Sequence, residues 1–325
     1  MSAPVPSSTL SPHPPLWASV CARVVRHLPV ARYRVMNFLS RFRPSRFVAT
    51  LSGPAKPPLR FECDLRNALA REVFFTGQYE PQETLLVRAL LRPGQTFVDV
   101  GAHWGYFTLL AAGLVGEPGR VVAFEADPRV FDTLATNLAM NRLPHVTAKA
   151  VAVAATEGTV QLLGYSDAQE NWGISRIAPK AGSPPEAGAK TFEVPARPLD
   201  AMLDELGVGP VDLVKMDIEG AEVFALQGMQ AGIAAGRYRR VLLELHPAEL
   251  RAHGVEPAAV IARLRDAGYQ GLTIDHSAAI TRRAAYGRRV PWSQLVRPMR
   301  AGEALDAWPH TLWLAPGVAP PPGVP

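Results

Sequence analysis

The segment Phe97-Val98-Asp99-Val100-Gly101-Ala102-His103-Trp104-Gly105-Tyr106-Phe107 restricts most strongly what this chain can fold into. A short apolar run closes on a carboxylate and a valine. A glycine follows, then three residues, a second glycine and an apolar helical stretch. That is a buried strand turning sharply into a helix. Gly101 permits the turn and, lacking a Cβ, lets a ligand approach the backbone. Gly105 permits the helix to sit close to its strand. The unit then recurs. Thr96–Val100, Arg120–Glu125, Val146–Ala154, Val211–Met216 and Arg240–Leu245 read as strands, and Gly271–Asp275 and Thr311–Leu314 as two later ones. Helices are expected over Tyr106–Val115, from Asp127 to about Asn141, after Gly220, and over Pro257–Ala267. Asp127 before Pro128 is a cap followed by a first-turn proline. Such alternation predicts an α/β chain with a doubly wound, mostly parallel, seven-stranded sheet covered on both faces.

A sheet of this kind binds ligands beyond the carboxyl ends of its strands, where the strand order reverses. The rule points to Asp99–Tyr106, Glu125–Asp127, Val153, Asp217–Glu222 and Glu244–Pro247. Free N–H groups at the helix start after Gly105 favour the carboxylate of an amino-acid ligand, and Asp99 can accept from its ammonium or from a bridging water. Glu125, 24 positions after Gly101, is placed to hold two ribose hydroxyls. Together these features describe adenosine joined to an amino acid. A dinucleotide loop needs a middle glycine where His103 stands, and Asp99 would repel a phosphate.

With these residues on the page, the chain resembles the FkbM-type methyltransferases. The resemblance is carried by Glu80, the Asp99–Phe107 loop, Gly119–Glu125, Asn137 and Lys215-Met-Asp-Ile-Glu-Gly-Ala-Glu222, and spans about Glu80 to Tyr269. It implies the class I, Rossmann-like methyltransferase fold, S-adenosylmethionine as cofactor, and methylation of hydroxyl oxygens on sugars, lipids or polyketide-type products. His103 stands where the family usually has Asn, and Ala126 where Pro commonly follows the acid. Asp99, Gly101, His103, Gly105, Glu125, Ala126 and Val153 are the expected cofactor residues.

On the acceptor side, strand alternation sends Lys215 and Asp217 to one side. Asp217, Glu219, Glu244 and His246 should then converge on one rim. In-line methyl transfer needs alignment above all, and a hydroxyl acceptor gains from a base. His246 is expected to be that base, with Asp217 orienting or replacing it and Glu219 beside them. A second hypothesis has Asp217, Glu244 and His246 hold Mg²⁺ or Mn²⁺. The plain alternative has Asp217 and Glu219 cap the helix that starts near Gly220, with His246 before Pro247 a turn residue. The acceptor is expected to be a small molecule, glycan or lipid-type hydroxyl, gripped by Tyr165–Lys190 and Asp275–Pro298, with Asn171-Trp172-Gly173 as a lid. The competing functions are N-methylation of protein or nucleic acid, and a non-catalytic scaffold. The fourth strand lacks the Asp/Asn-Pro-Pro-aromatic ending that grips an exocyclic amine.

Charge separates the chain into parts. No acidic residue precedes Glu62, while nine basic ones do, so the net +5 leaves the other 264 residues at −4. A mildly acidic body is a poor nucleic-acid surface. Residues 1–58 are expected to form a proline-rich disordered tip, a basic amphipathic arm over Leu16–Val48 divided at Pro29, and a linker. A short hairpin over Leu59–Phe75 then opens the methyltransferase domain, 59–316 with a core of 80–275, and 317–325 is a disordered tail. The arm suits either an anionic membrane surface or packing on the acidic body. Two cysteines make no disulfide framework. With no apolar run of about 18 residues and no secretion signal, a cytoplasmic setting is expected, with membrane-peripheral placement as the alternative the arm leaves open.

Overall fold

The computed structural model describes residues 10–28, 31–42, 46–51, 55, 58–164, 175–177, 190–300, 302–303, 305, 309–321 and 324. The chain opens with α1 (Leu16–His27), α2 (Arg32–Phe42), β1 (Arg46–Thr50), β2 (Arg60–Asp64), α3 (Ala68–Thr76) and α4 (Pro81–Leu90). The first half of the main sheet is β3 (Thr96–Val100), α5 (Tyr106–Val115), β4 (Arg120–Glu125), α6 (Pro128–Asn141) and β5 (Val146–Ala150). An insertion follows, made of β6 (Ala152–Val153), β7 (Gly158–Gly164), β8 (Ser175–Ile177) and β9 (Lys190–Arg197). Then come α7 (Leu199–Glu205), β10 (Leu213–Met216), α8 (Glu222–Gln227), α9 (Gln230–Ala234), β11 (Arg240–Glu244), α10 (Pro247–Ala252), α11 (Pro257–Asp266) and β12 (Gln270–Ile274). The last elements are α12 (Ala278–Ala285), α13 (Trp292–Leu295), β13 (Val296–Pro298) and β14 (His310–Leu314).

The main sheet runs β13-β12-β14-β11-β10-β3-β4-β5. β11, β10, β3, β4 and β5 are parallel, and β14 is inserted antiparallel between β11 and β12. This is the class I methyltransferase arrangement. The chain winds from β3 toward β5 on one side and from β10 toward β11 on the other. The reversal therefore falls between β3 and β10. The strands are apolar on both faces because helices cover both: Val98, Val100 and Val214 face one buried cluster, and Phe97, Leu213 and Leu242 face another. Asp127 caps α6 by accepting from the Arg129 N–H at 2.9 Å, with Pro128 in the first turn.

Four expectations change. The sheet has eight strands, since Val296–Pro298 adds a short antiparallel edge to β12. Val146–Ala154 is broken at Val151, whose N–H bonds the Glu125 carbonyl. β6 leaves there to join a second sheet, β6-β9-β7-β8. The arm and the body are not divided at residue 58. β1 pairs antiparallel with β2 across that boundary, and α3 occupies the rest of the expected Leu59–Phe75 hairpin. Ala18, Ala22, Val25, Met36 and Phe47 share one core with Phe61, Phe75, Trp104 and Leu109. Finally, the described part of the tail packs on the body, with Val318 against the core and Val324 buried. Of the expected tip 1–15, residues 1–9 lie outside the described residues, while Ser11 bridges to Phe47 of β1. Pro29 and residues 165–174 and 178–189 of the expected acceptor segment, Asn171-Trp172-Gly173 among them, also lie outside the described residues.

Asn137, fully buried on α6, ties the front of the molecule together. Its Oδ1 accepts from the Glu62 N–H at 2.7 Å and its Nδ2 donates to the Trp104 carbonyl at 2.8 Å. Asn137→Ala leaves two buried backbone groups without partners, each costing about 1–3 kcal/mol. We expect a loss of roughly 2–4 kcal/mol, read as a lowered urea midpoint at unchanged slope.

Candidate active site

The tips of β3 and β10 meet at Gly101. Its N–H and that of Ala102 donate to the Phe124 carbonyl at 2.9 and 3.0 Å, and the Asp217 N–H donates to the Val100 carbonyl at 3.1 Å. A Cβ on Gly101 would lie 1.9 Å from the Asp217 carbonyl oxygen, and its φ is +83°. No other residue fits there. At Gly105, φ +86°, a Cβ would come within 2.5 Å of Leu134 on α6. This glycine therefore brings α5 close to α6 rather than to its own strand.

A cleft of about 1140 Å³, counting space open to solvent, spreads over this junction. Gly101, His103, Glu125, Ala126 and Val153 line one end, and Lys215, Asp217 and Glu219 the other. Asn67, Ala68 and Leu69 at the start of α3, with Tyr79, complete the wall. Tyr106, Phe107, Phe124 and Leu162 add apolar surface. Five of the seven expected cofactor residues thus lie on the cleft. Gly105 acts behind it, and so does Asp99. In β3, Asp99 shares register with Lys215 and lies under α5, where Thr108 Oγ1 donates to its Oδ2 at 2.6 Å. At 1% exposure it anchors the first turn of α5 and does not reach a ligand directly. Burial raises its carboxyl above the usual range, against the pull of Lys215.

Glu125 is held from below. Its Oε2 accepts from the His103 N–H at 2.8 Å and its Oε1 from the Asp127 N–H at 2.9 Å. Each oxygen keeps a further lone pair for the cleft. Burial pushes this carboxyl up to about 7, against those backbone hydrogen bonds. His103, at φ +51°, is pushed down to about 4 by burial, so its ring is neutral, and its buried Nδ1 has no hydrogen-bond partner.

At the other end the expected rim forms. Lys215 Nζ lies 3.3 Å from Asp217 Oδ2, 3.5 Å from Glu80 Oε2 and 4.6 Å above the Phe107 ring. Burial works against its charge, but Glu80, Asp217 and Asp99 outweigh burial and hold it protonated. His246 Nε2 faces Glu219, Asp217 and Glu244 at 3.4, 3.7 and 3.7 Å, while Nδ1 donates to Glu222 Oε1 at 2.7 Å. Burial lowers the basicity of this ring, yet the Glu222 bond and the facing Glu219 and Asp217 raise it to about 10. That upward shift favours the charged ring at neutral pH, where a base needs the neutral one. The carboxylates divide. Burial raises Asp217, but Lys215 and His246 carry it below its ordinary value. Burial pushes Glu219 up to about 7, with His246 opposing. Neither Asp217 nor Glu219 caps α8, whose N-cap is Ala221, and His246 stands at the N-cap position of α10 without a side-chain capping bond.

Several residues of this site escaped sequence reasoning. Fully buried Glu222 had no assigned role. Glu244 pairs in register with His310 of β14, whose Nε2 lies 3.5 Å from Glu244 Oε1 and whose Nδ1 lies 3.0 Å from Glu83. His276 stacks on His310 and bonds the same Glu83 oxygen at 2.8 Å. The expected acceptor loop Asp275–Pro298 does not line the cleft; Gln82 Nε2 of α4 bonds the Asp275 carbonyl and Thr281 there.

The site is a glycine-cradled cleft at the switch point of a doubly wound sheet, with an acid on each side. A sequence model of the FkbM methyltransferase domain matches residues 99–270, more than half of the chain, and the protein belongs to that family. Methyltransferase sdnD of Sordaria araneosa is 27% identical over 154 residues, covering 41% of this chain and 59% of that protein. AMB antimetabolite synthetase AmbE of Pseudomonas aeruginosa is 26% identical over 209 residues, 56% of this chain and 10% of that protein. The chain thus spans less than two thirds of either relative. Among solved structures, Aeropyrum pernix fibrillarin with bound S-adenosyl-L-methionine aligns at 11% identity and a TM-score of 0.35, covering 84% of this chain and 82% of that one. The O-methyltransferase from Bacillus cereus with SAH aligns at 14% and 0.35, covering 73% and 80%.

The His246–Glu222 pair can be tested alone. Because His246 is raised above its unfolded value of about 6.5, its contribution to stability is complete below that pH and lost as pH rises through about 10. By NMR the His246 ring should show no titration between roughly pH 5 and 8 in the parent chain. Glu222→Gln should bring its midpoint down by more than about one unit.

Proposed function

We propose that the protein transfers the methyl group of S-adenosylmethionine to a hydroxyl oxygen of a small-molecule, glycan or lipid-type acceptor, and that Glu219 takes the hydroxyl proton. One observation carries this reading: Glu219 lines the same cleft as Gly101 and Glu125, and burial has brought its carboxyl to about 7. A general base works best with a pKa near the working pH.

The cleft fits the cofactor. Glu125 offers two oxygens, already oriented from behind, to a ribose. The orphaned Nδ1 of His103 offers a further polar contact, and Phe124 and Leu162 offer apolar surface for a base. When bound, the cofactor supplies an electrophilic methyl on a sulfonium. The chain's own residues do the rest. Lys215 holds Asp217 in one orientation beside the acceptor space, and Glu219 receives the proton as the oxygen attacks. His246, anchored by Glu222, keeps the acids in place, and its positive charge favours the ionised form of Glu219 that can accept the proton. Buried positive charge at the rim thus comes from Lys215, His246 and His310, the last, against burial, raised to about 9 by Glu83 and Glu244. Each acid of the cation-sized groups, Asp217–Glu219–His246, Glu80–Asp217–Glu244 and Glu83–His276–His310, already faces one of them. That favours the base over Mg²⁺ or Mn²⁺, and we expect activity to persist in EDTA.

Two further outcomes follow. Calorimetry should show cofactor affinity falling about tenfold per pH unit below roughly pH 7, as Glu125 gains its proton. Glu125→Gln should flatten that profile and weaken binding by roughly 10–100-fold. A screen of sugar, glycan and lipid hydroxyls with labelled S-adenosylmethionine should identify an acceptor. With it, Glu219→Gln should lower kcat by about 10²–10⁴ while cofactor affinity stays within a fewfold. Equal kcat in Glu219→Gln would remove the proton role.

A further inference from the structure

Helix α1 buries one face and leaves a second apolar face in solvent. Ala18, Ala22 and Val25 sit in the core, and Arg26 Nη2 donates to the Phe74 carbonyl of α3 at 2.8 Å, which fixes the helix on the body. On the opposite side Leu16, Val20 and Val24, one turn apart, are 81%, 54% and 55% exposed. Among the described residues the large apolar side chains left exposed are these three and Phe38 of α2. A surface helix that packs by one stripe normally carries polar residues on the other. Here that other stripe is apolar.

The charge around it has one sign. The chain has no acidic residue before Glu62 and nine basic ones. Some of these are committed inward: Arg32 donates to the carbonyls of Val25, Arg26 and Ala285, and Arg46 pairs with Glu62 at 2.6 Å. Arg23 of α1 and Arg34 of α2 remain exposed. A uniformly positive face repels a second copy of itself, and a nucleic-acid surface has no use for a line of Leu and Val. No described helix is long and apolar enough to cross a membrane.

We infer that the outer face of α1 docks on an anionic lipid surface. Leu16, Val20 and Val24 enter the interfacial apolar layer and the arginines meet the headgroup phosphates. The body carries α1 on α3, and the start of α3, Asn67–Leu69, forms part of the cleft wall. Docking therefore holds the cleft one helix away from the bilayer. This inference stands on the arm alone and does not depend on the methyl-transfer reading.

The test is flotation of the full chain with phosphatidylcholine vesicles, with and without phosphatidylserine. Val20→Glu/Val24→Glu and Arg23→Gln/Arg34→Gln double variants run beside it, and melting temperature serves as the folding control. We expect recovery with phosphatidylserine vesicles, release by high salt, and no recovery of the valine variant at unchanged melting temperature. Affinity should fall about fivefold for each arginine removed. Failure of the parent to float with phosphatidylserine vesicles would overturn the inference, as would equal recovery of the valine variant. Light scattering that shows a dimer in the parent and a monomer in the valine variant would also overturn it, because a second copy would then cover the face.

Discussion

The closeness of β3 to β10 at Gly101 is the constraint from which the rest of the site follows. The Asp217 carbonyl occupies the space a Cβ would need, so the loop after β3 and the turn after β10 form one continuous surface. Gly101 and His103 lie on the first, and Asp217 and Glu219 on the second. Parallel strands carry these tips at a fixed register, Val100 beside Met216 and Phe124 beside Val100. The geometry of Glu125 relative to Asp217 is thus set by backbone hydrogen bonds and not by mobile side chains.

Charge is the second organising element. Asp217, Glu219, Glu222, Glu244 and Glu80 gather in a poorly solvated space, which would be prohibitive without compensation. Lys215 of β10, His246 at the end of β11 and His310 of β14 provide it. Compensation is uneven by position. Against burial, Lys215 and His246 carry Asp217 below its ordinary value, while burial leaves Glu219 and Glu244 raised. Like groups in unlike surroundings take unlike roles.

Much of this was legible from the sequence, and the boundary of legibility has a physical cause. The strand–glycine–helix unit, Glu125 at the next strand end and the rim of Asp217, Glu219, Glu244 and His246 are local patterns on parallel strands, so their meeting follows from topology alone. Asp99 was placed on the ligand although it lies in the wrong position of the two-residue alternation, under α5 beside Lys215. His246 was taken as a base because its ordinary pKa suits one. The Glu222 contact that changes it depends on the turn between Glu219 and Glu222, where Glu219 has φ +51° and the Gly220 N–H bonds Glu222 at 3.0 Å. His310, Glu83 and His276 reach the site through the antiparallel return of β14 and through α4, pairings that no short sequence window contains. β1 likewise joins β2 across a stretch that composition marks as a linker.

The central claim is that one cleft, with Glu125 at one end and Asp217–Glu219 at the other, holds the sulfonium nucleoside and the acceptor together. A crystal structure of the chain with S-adenosylhomocysteine tests it most directly. We expect the ribose hydroxyls on the Glu125 carboxylate and the amino-acid portion extending over Gly101 toward β10. Nucleoside bound outside this cleft, or lying within it with its ribose away from Glu125, would contradict the claim.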